Sequence, residues 1–225
     1  MLEAAARSHA SWFGRGRKTI ALDGVRVFVG PGDAVLAFPA AGADLAGAVR
    51  LAHEAGVREV GCWALAPDDA LGRRLAELGF QDGWQPHWMG IDPRTPRVRP
   101  GHEVERTTGC DPELPYASAH HLAVLGGDVH HFLVREDGGA VGHVVLDVDG
   151  DTGGIYDMGV VPAARRRGYG RALTLAALEA AGELGCTSVT LNATAEGEPL
   201  YHDVGFGSLG LGMTWWLFPS LDGRR

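Results

Sequence analysis

A strand, an arginine-rich loop and a helix follow one another between Gly154 and Gly185, and this stretch constrains the fold most. Its first part reads Gly-Ile-Tyr-Asp-Met-Gly-Val-Val-Pro, and its β-branched and aromatic residues predict a strand that ends at Pro162. Gly185 is a fitting end for the helix, because glycine tolerates the left-handed conformation that follows many helices. The apolar residues with helical spacing are Leu173, Ala176, Ala177, Ala180 and Leu184.

The loop between this strand and this helix reads Arg-Arg-Arg-Gly-Tyr-Gly-Arg and predicts a receptor for phosphate. Gly168 and Gly170 let the backbone approach an anion closely. The amides and the dipole at the start of a helix favour negative charge. Guanidinium groups add donors, and such a cluster would oppose the helix dipole without an anionic ligand, so a ligand is favoured over a merely solvated surface. The arginines are Arg165, Arg166, Arg167 and Arg171.

Three pieces of the sequence resemble the GNAT superfamily, the acetyl-CoA-dependent N-acetyltransferases. Arg165-x-x-Gly168-x-Gly170 is similar to the family's pyrophosphate-binding signature, and Met158-x-Val160-x-Pro162 is similar to its central strand. The residues from 191 to 206, which include Leu-Tyr-x-x-x-Gly-Phe, resemble the strand and helix that follow. A glycine-rich loop alone is weak evidence, but the three pieces stand in the family's order. The close resemblance covers residues 155 to 216, and a looser one begins near residue 102.

The resemblance implies an α/β (α+β) fold, with a mixed, mostly antiparallel sheet flanked by helices. It also implies transfer of acetyl from acetyl-CoA to an amine by direct attack in a ternary complex. In this family the main chain at Met158 and Val160 contacts the acetyl carbonyl and the pantetheine arm, although the side chains indicate only a strand. Asn192 is either a contact of the pantetheine arm or a cap of its strand. The implied acetyl-CoA-binding residues are Met158, Val160, Arg165, Arg166, Arg167, Gly168, Tyr169, Gly170, Arg171 and Asn192.

Tyr201 is the expected catalytic acid, because the resemblance places it where family members carry a tyrosine. A phenol with a pKa of about 10 can protonate the CoA thiolate that leaves when the amine attacks. The alternative is an aromatic packing residue at the end of a helix. Asp157 on the central strand is our first candidate for the base that removes the amine proton. The choice stays open between it, water, and the residues Glu103, Glu105, Glu196, Glu198 and His202.

Two pairs of adjacent histidines invite comparison with metal sites, but their spacing argues against one. Neighbouring residues on a strand point to opposite faces, so His130 and His131 cannot readily bind one ion. His120 and His121 lie in a predicted helix, where adjacent side chains also diverge. We therefore expect no metal, and a role in the acceptor cleft is the better hypothesis for one of these histidines.

Composition limits the partners and the compartment. A formal net charge of −8 argues against general affinity for nucleic acids. The three cysteines are far apart and predict neither a disulfide framework nor a zinc site. Charged residues interrupt the N-terminal segment, and no apolar run reaches the roughly 20 residues of a membrane helix. The expectation is a cytoplasmic protein that acts on a small-molecule or peptide amine without nucleic acid or membrane. A homodimer is one possible assembly, and the sequence does not determine the oligomeric state.

The first part of the chain echoes the second. Helix, glycine, strand, helix, Leu-Gly-Phe and an aromatic strand follow one another up to Ile91, and the second half repeats this order. The segment 39–44, directly before the helix that Asp44 is expected to cap, contains no arginine. Leu75 stands where the second half has Tyr201. We interpret residues 1–91 as a degenerate, non-catalytic GNAT-like half, residues 92–101 as a linker rich in proline, and residues 102–225 as the catalytic domain. Chance similarity between two α/β segments is the alternative.

Two other functions compete with the enzyme. A non-catalytic module or sensor that binds acyl-CoA would need the phosphate loop but not Tyr201. A nucleotide-binding protein is less favoured, because the loop lacks the Lys-Ser/Thr of a P-loop and differs in spacing from the dinucleotide fingerprint. Specificity in such scaffolds is determined by variable loops, so the sequence does not identify the acceptor.

Overall fold

The computed structural model describes residues 1–95, 101–107 and 129–219. The helix predicted for residues 112–125 and part of the predicted linker lie outside these residues. The helices are α1 (Leu2–Gly14), α2 (Leu45–Glu54), α3 (Asp69–Glu77), α4 (Tyr169–Glu183) and α5 (Glu198–Val204). The first strands are β1 (Lys18–Leu22), β2 (Val25–Val29), β3 (Asp33–Ala37), β4 (Glu59–Ala64), β5 (Gln81–Asp82), β6 (His87–Ile91) and β7 (Glu105–Thr107). The remaining strands are β8 (Val129–Glu136), β9 (Gly139–Asp149), β10 (Thr152–Val160), β11 (Ser188–Ala193), β12 (Gly207–Leu211) and β13 (Met213–Leu217).

The chain forms two compact units, and each is assembled from two separate stretches. One unit contains Met1–His9 and Trp88–Leu209, and we call it the loop unit because it carries the arginine-rich loop. The second unit contains Ala10–His87 and Gly210–Arg225. This division differs from the division by sequence at residues 91 and 102, whose catalytic and degenerate halves stay a prediction.

The difference arises because each half of the chain supplies a strand to the other unit's sheet. The loop unit has a seven-stranded sheet in the order β12-β6-β11-β10-β9-β8-β7, which includes β6 from the first half. The second unit has a six-stranded sheet in the order β1-β2-β3-β4-β13-β5, which includes β13 from the second half. Both sheets are mixed and mostly antiparallel with flanking helices, as predicted.

The core of the loop unit forms between α4 and the sheet. Leu173, Ala177 and Ala180 are buried against strand residues such as Leu146 and Ile155. The predicted helical spacing is therefore confirmed for these residues, whereas Leu184 follows the last helical residue and is exposed. This packing fixes the start of α4, and with it the arginine-rich loop, at the C-terminal end of β10.

Local signals determine the ends of the helices in the second unit. The Asp44 carboxylate accepts a hydrogen bond from the Gly47 amide at 2.8 Å, which confirms the predicted cap of α2. Asp68 caps α3 by accepting from the Ala70 amide at 2.9 Å. Within the residues that the structure describes, no helix has the length and apolarity needed to cross a membrane.

Candidate active site

The parallel strands β10 and β11 separate halfway along their length. They pair only from Thr152–Ser188 to Gly154–Thr190, although β10 continues to Val160. β10 instead stays paired with β9, and its register shifts between Tyr156 and Gly159. This β-bulge bends β10 away from β11. The result is a split between two strands, in which backbone groups of β10 can bind a ligand in place of a neighbouring strand.

Asp157 lies within the bulge and has a φ of +49°, in the left-handed region that costs a non-glycine residue energy. Asp157, Met158 and Val160 are all half-buried, so the bulged part of the strand is accessible. Of the predicted site residues, these three line the split through their position on β10. Sequence patterns gave no sign of the bulge, because a shift of register depends on the neighbouring strand.

The arginine-rich loop enters α4 through two residues with left-handed backbone. A short 3₁₀ turn, Pro162–Ala164, leads to Arg166 at a φ of +62° and to Gly168 at a φ of +87°. When left-handed residues alternate with residues of ordinary backbone conformation, successive backbone amides turn toward a common anion. The first amides of α4, which begins at Tyr169, have no acceptor within the helix. The loop therefore has the backbone geometry of an anion site.

Three of the loop's arginines have carboxylate partners. The Arg165 guanidinium lies 3.3 Å from the Glu196 carboxylate and donates from Nε to the Val160 carbonyl at 3.1 Å. Arg167 forms a bidentate pair with Glu136, with one of its contacts at 2.8 Å, and Arg171 pairs with Asp203. Sequence reasoning assigned all four guanidinium groups to phosphate. The structure shows a loop that these pairs brace.

Arg166 differs from the other three arginines. Its side chain is exposed, and among the described residues it has no carboxylate partner. The amides and Arg166 are consequently the groups most directly available to a phosphate. Arg165, Arg167 and Arg171 would act on an anion from a distance, screened by the carboxylates beside them.

His102 was not predicted to belong to the site, yet it contacts the loop. Its Nε2 lies 2.7 Å from the Arg167 carbonyl oxygen and donates a hydrogen bond to it. Its ring centroid lies 4.4 Å from that of Tyr169, and the Arg167 guanidinium lies 5.6 Å from the same ring. A Cβ at Gly168 would approach His102 Nε2 to 3.2 Å. These contacts hold the loop against Tyr169, and no local signal in the sequence joins residues so far apart.

Tyr201 lies on α5 in the same apolar cluster as Met158, Val160 and Tyr169. Burial raises the pKa of its phenol to about 12, so the hydroxyl is protonated throughout the neutral range. The starts of α4 and α5 pack closely, since a Cβ at Gly170 would lie 3.1 Å from Leu200 Cδ2. The structure thus brings the predicted acid, the central strand and the start of α4 into one cluster.

The predicted bases differ in their surroundings. Glu105 pairs with Arg135 at 3.0 Å, Glu196 pairs with Arg165, and Glu198 lies 3.2 Å from His202. Glu103 is exposed ahead of β7. Among the described candidates, Asp157 is the one that lies on a strand bordering the split. Its position favours Asp157 as the base.

The adjacent histidines of β8 face opposite sides of the sheet. His130 is half-buried and lies 3.0 Å from an Arg106 nitrogen, whereas His131 is buried with its Nε2 3.4 Å from His143 Nδ1. Burial and then the Arg106 charge lower the pKa of His130. His120 and His121 lie outside the described residues. Because the side chains of His130 and His131 point to opposite faces of β8, they are not arranged to bind one ion together.

The corresponding strands of the second unit do not separate. β3 and β4 are also parallel and are also followed by helices, but they stay paired from Asp33–Glu59 to Ala37–Trp63. No arginine stands between β3 and α2. In its described part, the second unit therefore has neither the split nor the arginine-rich loop of the loop unit.

Comparison with known proteins assigns the fold and then the family. A GCN5-related N-acetyltransferase from Kribbella flavida is 17% identical, with a TM-score of 0.72, over 96% of this chain and 95% of that one. A GCN5-related N-acetyltransferase from Sphaerobacter thermophilus is 16% identical, with a TM-score of 0.61, over 88% of this chain and 78% of that one. A tandem GNAT protein from the clavulanic acid biosynthesis pathway is 16% identical, with a TM-score of 0.59, over 87% of this chain and 79% of that one.

Residues 99–206 match the model of the acetyltransferase (GNAT) family. This match places residues 99–206 in the acetyltransferase (GNAT) family, which supports acyl transfer, and the solved structures share the fold of the chain. Among curated proteins, none matches this sequence.

Proposed function

We propose that this protein transfers an acetyl group from acetyl-CoA to an amine by direct attack in a ternary complex. The observation that carries the proposal is the end of β10–β11 pairing at Gly154 and Thr190, with a loop of amides beyond the split. The split suits a polar chain that can bind backbone groups, and the loop of amides beside it suits a phosphate. A fitting ligand therefore carries both parts. CoA is such a molecule.

The residues of the loop unit suit each part of this ligand. The pyrophosphate would accept hydrogen bonds from the amides at the start of α4, with Arg166 as an added donor. The pantetheine arm would enter the split, where the main chain at Met158 and Val160 supplies amide and carbonyl groups. Asn192 lies on β11, the strand across the split, and its side chain would contact the same arm.

The reaction needs two proton transfers and one stabilised oxyanion. The amine nitrogen attacks the thioester carbon, and the carbon–sulfur bond then breaks. Asp157 or a water molecule takes the proton that the amine loses, and Tyr201 gives a proton to the CoA thiolate. A backbone amide of the bulged strand near Met158 would stabilise the negative charge that develops on the carbonyl oxygen.

A non-catalytic protein that binds acyl-CoA is the second candidate. The pKa of about 12 at Tyr201 favours it, because this buried phenol is a weaker acid than a free one. Such a protein would use the loop and the split in the same way, but it would not release CoA.

The experiment that separates the two functions is a screen for CoA release over small-molecule and peptide amines, with the acetylated product identified by mass spectrometry. We expect release that depends on one class of amine and falls in Tyr201→Phe. Binding of acetyl-CoA without amine-dependent release across the panel would favour the non-catalytic protein. The proposal includes a cytoplasmic setting and requires no metal.

A further inference from the structure

The first residues of the chain form part of the loop unit, far from the segment that matches the family. Ser8 and His9 of α1 are almost inaccessible to solvent. The Ser8 hydroxyl lies 3.0 Å from the Tyr156 hydroxyl. The His9 ring centroid lies 5.4 Å from that of Tyr156 and 5.2 Å from that of Trp88. These contacts place His9 beside β10 at the residue where the bulge begins.

Gly154 explains how the chain makes room for this arrangement. A Cβ at Gly154 would overlap both the Ser8 hydroxyl and the ring of Tyr156. Gly154 is also the last residue of β10 that pairs with β11. The glycine thus lets Tyr156 and the start of α1 pack over the point where the split opens.

Asn192 lies next to His9 on the other side of the split. Its Nδ2 is 3.4 Å from Nδ1 and 3.4 Å from Nε2 of His9. If the pairing of Gly154 with Thr190 were continued by two residues, Asn192 would stand opposite Tyr156. His9 therefore joins the two strands by side-chain contacts at the level where their backbones no longer pair.

The polarity of this contact follows from the chemistry of the groups. An amide NH₂ only donates, and a positively charged imidazole would repel it, so the ring must be neutral. Burial lowers the pKa of His9 to about 3, which keeps the ring neutral at any working pH. Because Nδ2 is equally distant from both ring nitrogens, it lies over the face of the ring, and the contact does not depend on the tautomer.

A carboxamide that uses its nitrogen in one direction presents its oxygen in the other. We propose that His9 is a positioning residue, which fixes the Asn192 carboxamide so that its oxygen accepts a hydrogen bond from an amide of the pantetheine arm. The inference rests on the proposed binding of acetyl-CoA and goes beyond it, because it gives the start of α1 a part in binding the cosubstrate. The carboxamide would otherwise be free to rotate or to turn its nitrogen toward the ligand.

The test compares two ligands in the full chain by calorimetric titration. Acetyl-CoA carries the pantetheine arm, whereas 3′-phospho-ADP is the nucleotide end of CoA without it. We expect His9→Phe, which keeps a flat ring but removes both ring nitrogens, to weaken acetyl-CoA binding by about three- to tenfold, the range for one hydrogen bond. The affinity for 3′-phospho-ADP should change by less than about twofold, because one hydrogen bond is lost on the pantetheine arm alone.

Three further variants separate positioning from general damage. Asn192→Ala removes the carboxamide itself and should weaken acetyl-CoA binding at least as much as His9→Phe. The double variant should lose no more than Asn192→Ala, because His9 acts through Asn192. His9→Gln keeps a side-chain acceptor and should restore part of the affinity. Ser8→Ala removes the neighbouring hydrogen bond to Tyr156 and should leave the ratio of the two affinities unchanged. Should His9→Phe fail to fold, Asn192→Ala and His9→Gln still measure that ratio.

Each remaining outcome counts against a distinct claim. Equal weakening of both ligands in His9→Phe, or unchanged affinity for acetyl-CoA, would overturn the positioning role of His9 alone. A wild-type chain that bound neither ligand would overturn the proposed function, and this inference with it.

Discussion

Gly154 and Thr190 are the last paired residues of β10 and β11, and the bulge at Asp157 then carries β10 away from its neighbour. The separation makes backbone groups available in the middle of a sheet, where they would ordinarily bind another strand. A ligand with amides of its own can occupy that position. The arginine-rich loop at the end of the same strand favours a ligand that also carries phosphate.

Gly168→Asp should abolish most of the affinity for acetyl-CoA. The substitution strains a residue at a φ of +87° and places a negative charge where the pyrophosphate is proposed to bind. We expect a loss of at least about tenfold, equivalent to about 1.4 kcal/mol. Gly168→Ala is the matched control, because it brings the backbone strain and the contact with His102 but no charge. Equal affinities in these two variants would show that charge at this position is irrelevant.

Arg166→Ala should weaken acetyl-CoA binding by a smaller amount, about three- to tenfold, because Arg166 is an exposed donor to a flexible phosphate. Arg50→Ala on α2 removes the same charge from an exposed position in the second unit. It should leave the affinity unchanged. If both variants bind alike in a calorimetric titration, the loop attracts the ligand only through net charge or through its amides.

Tyr201→Phe should lower turnover by about a hundredfold and leave the affinity for acetyl-CoA nearly intact, because it removes only the proton donor. With the phenol pKa at about 12, ionisation of Tyr201 should cause no loss of activity up to about pH 10. The measurement is steady-state kinetics across pH with the acceptor found by the screen. Wild-type turnover in Tyr201→Phe would assign the acid to water or to another group.

His9 should make the loop unit sensitive to acid. Its pKa is about 3 in the folded protein and about 6.5 in the unfolded chain. Burying the neutral ring therefore costs the free energy of unfolding nothing above pH 6.5, where the ring is neutral in both states. As the pH falls from about 6.5 toward 3, the unfolded chain binds a proton that the folded protein excludes, and the free energy of unfolding decreases. Between pH 7 and pH 5 we expect a loss of about 2 kcal/mol in the free energy of unfolding. Urea denaturation of wild type and His9→Gln, at both pH values, isolates this term, and identical pH dependences would contradict it.

Local rules predicted most of the elements, because they depend on neighbouring residues. Gly185 follows the helix that it was expected to end, and its φ is +82°. The strand, loop and helix around Arg165 also follow from local pattern and from family resemblance. The short strand β5 was missed, since two residues carry no periodicity.

Non-local pairing could not be predicted in the same way. β6 and β13 have ordinary aromatic strand patterns, and nothing in either pattern indicates which sheet it joins. For the same reason the contacts of His9 with Asn192 and of Arg167 with Glu136 were not foreseen. The predicted arginines were located correctly in the loop, but the carboxylates that pair with them come from other elements.

The most direct test of the account is the number of acetyl-CoA molecules that one chain binds. Among the residues that the structure describes, only those of the loop unit form the split and the arginine-rich loop, whereas β3 and β4 of the second unit stay paired throughout. Calorimetric titration of the full wild-type chain should therefore give one equivalent, and Gly168→Asp should remove it. Two equivalents per chain would contradict the assignment of a single site, and no binding would contradict the account as a whole.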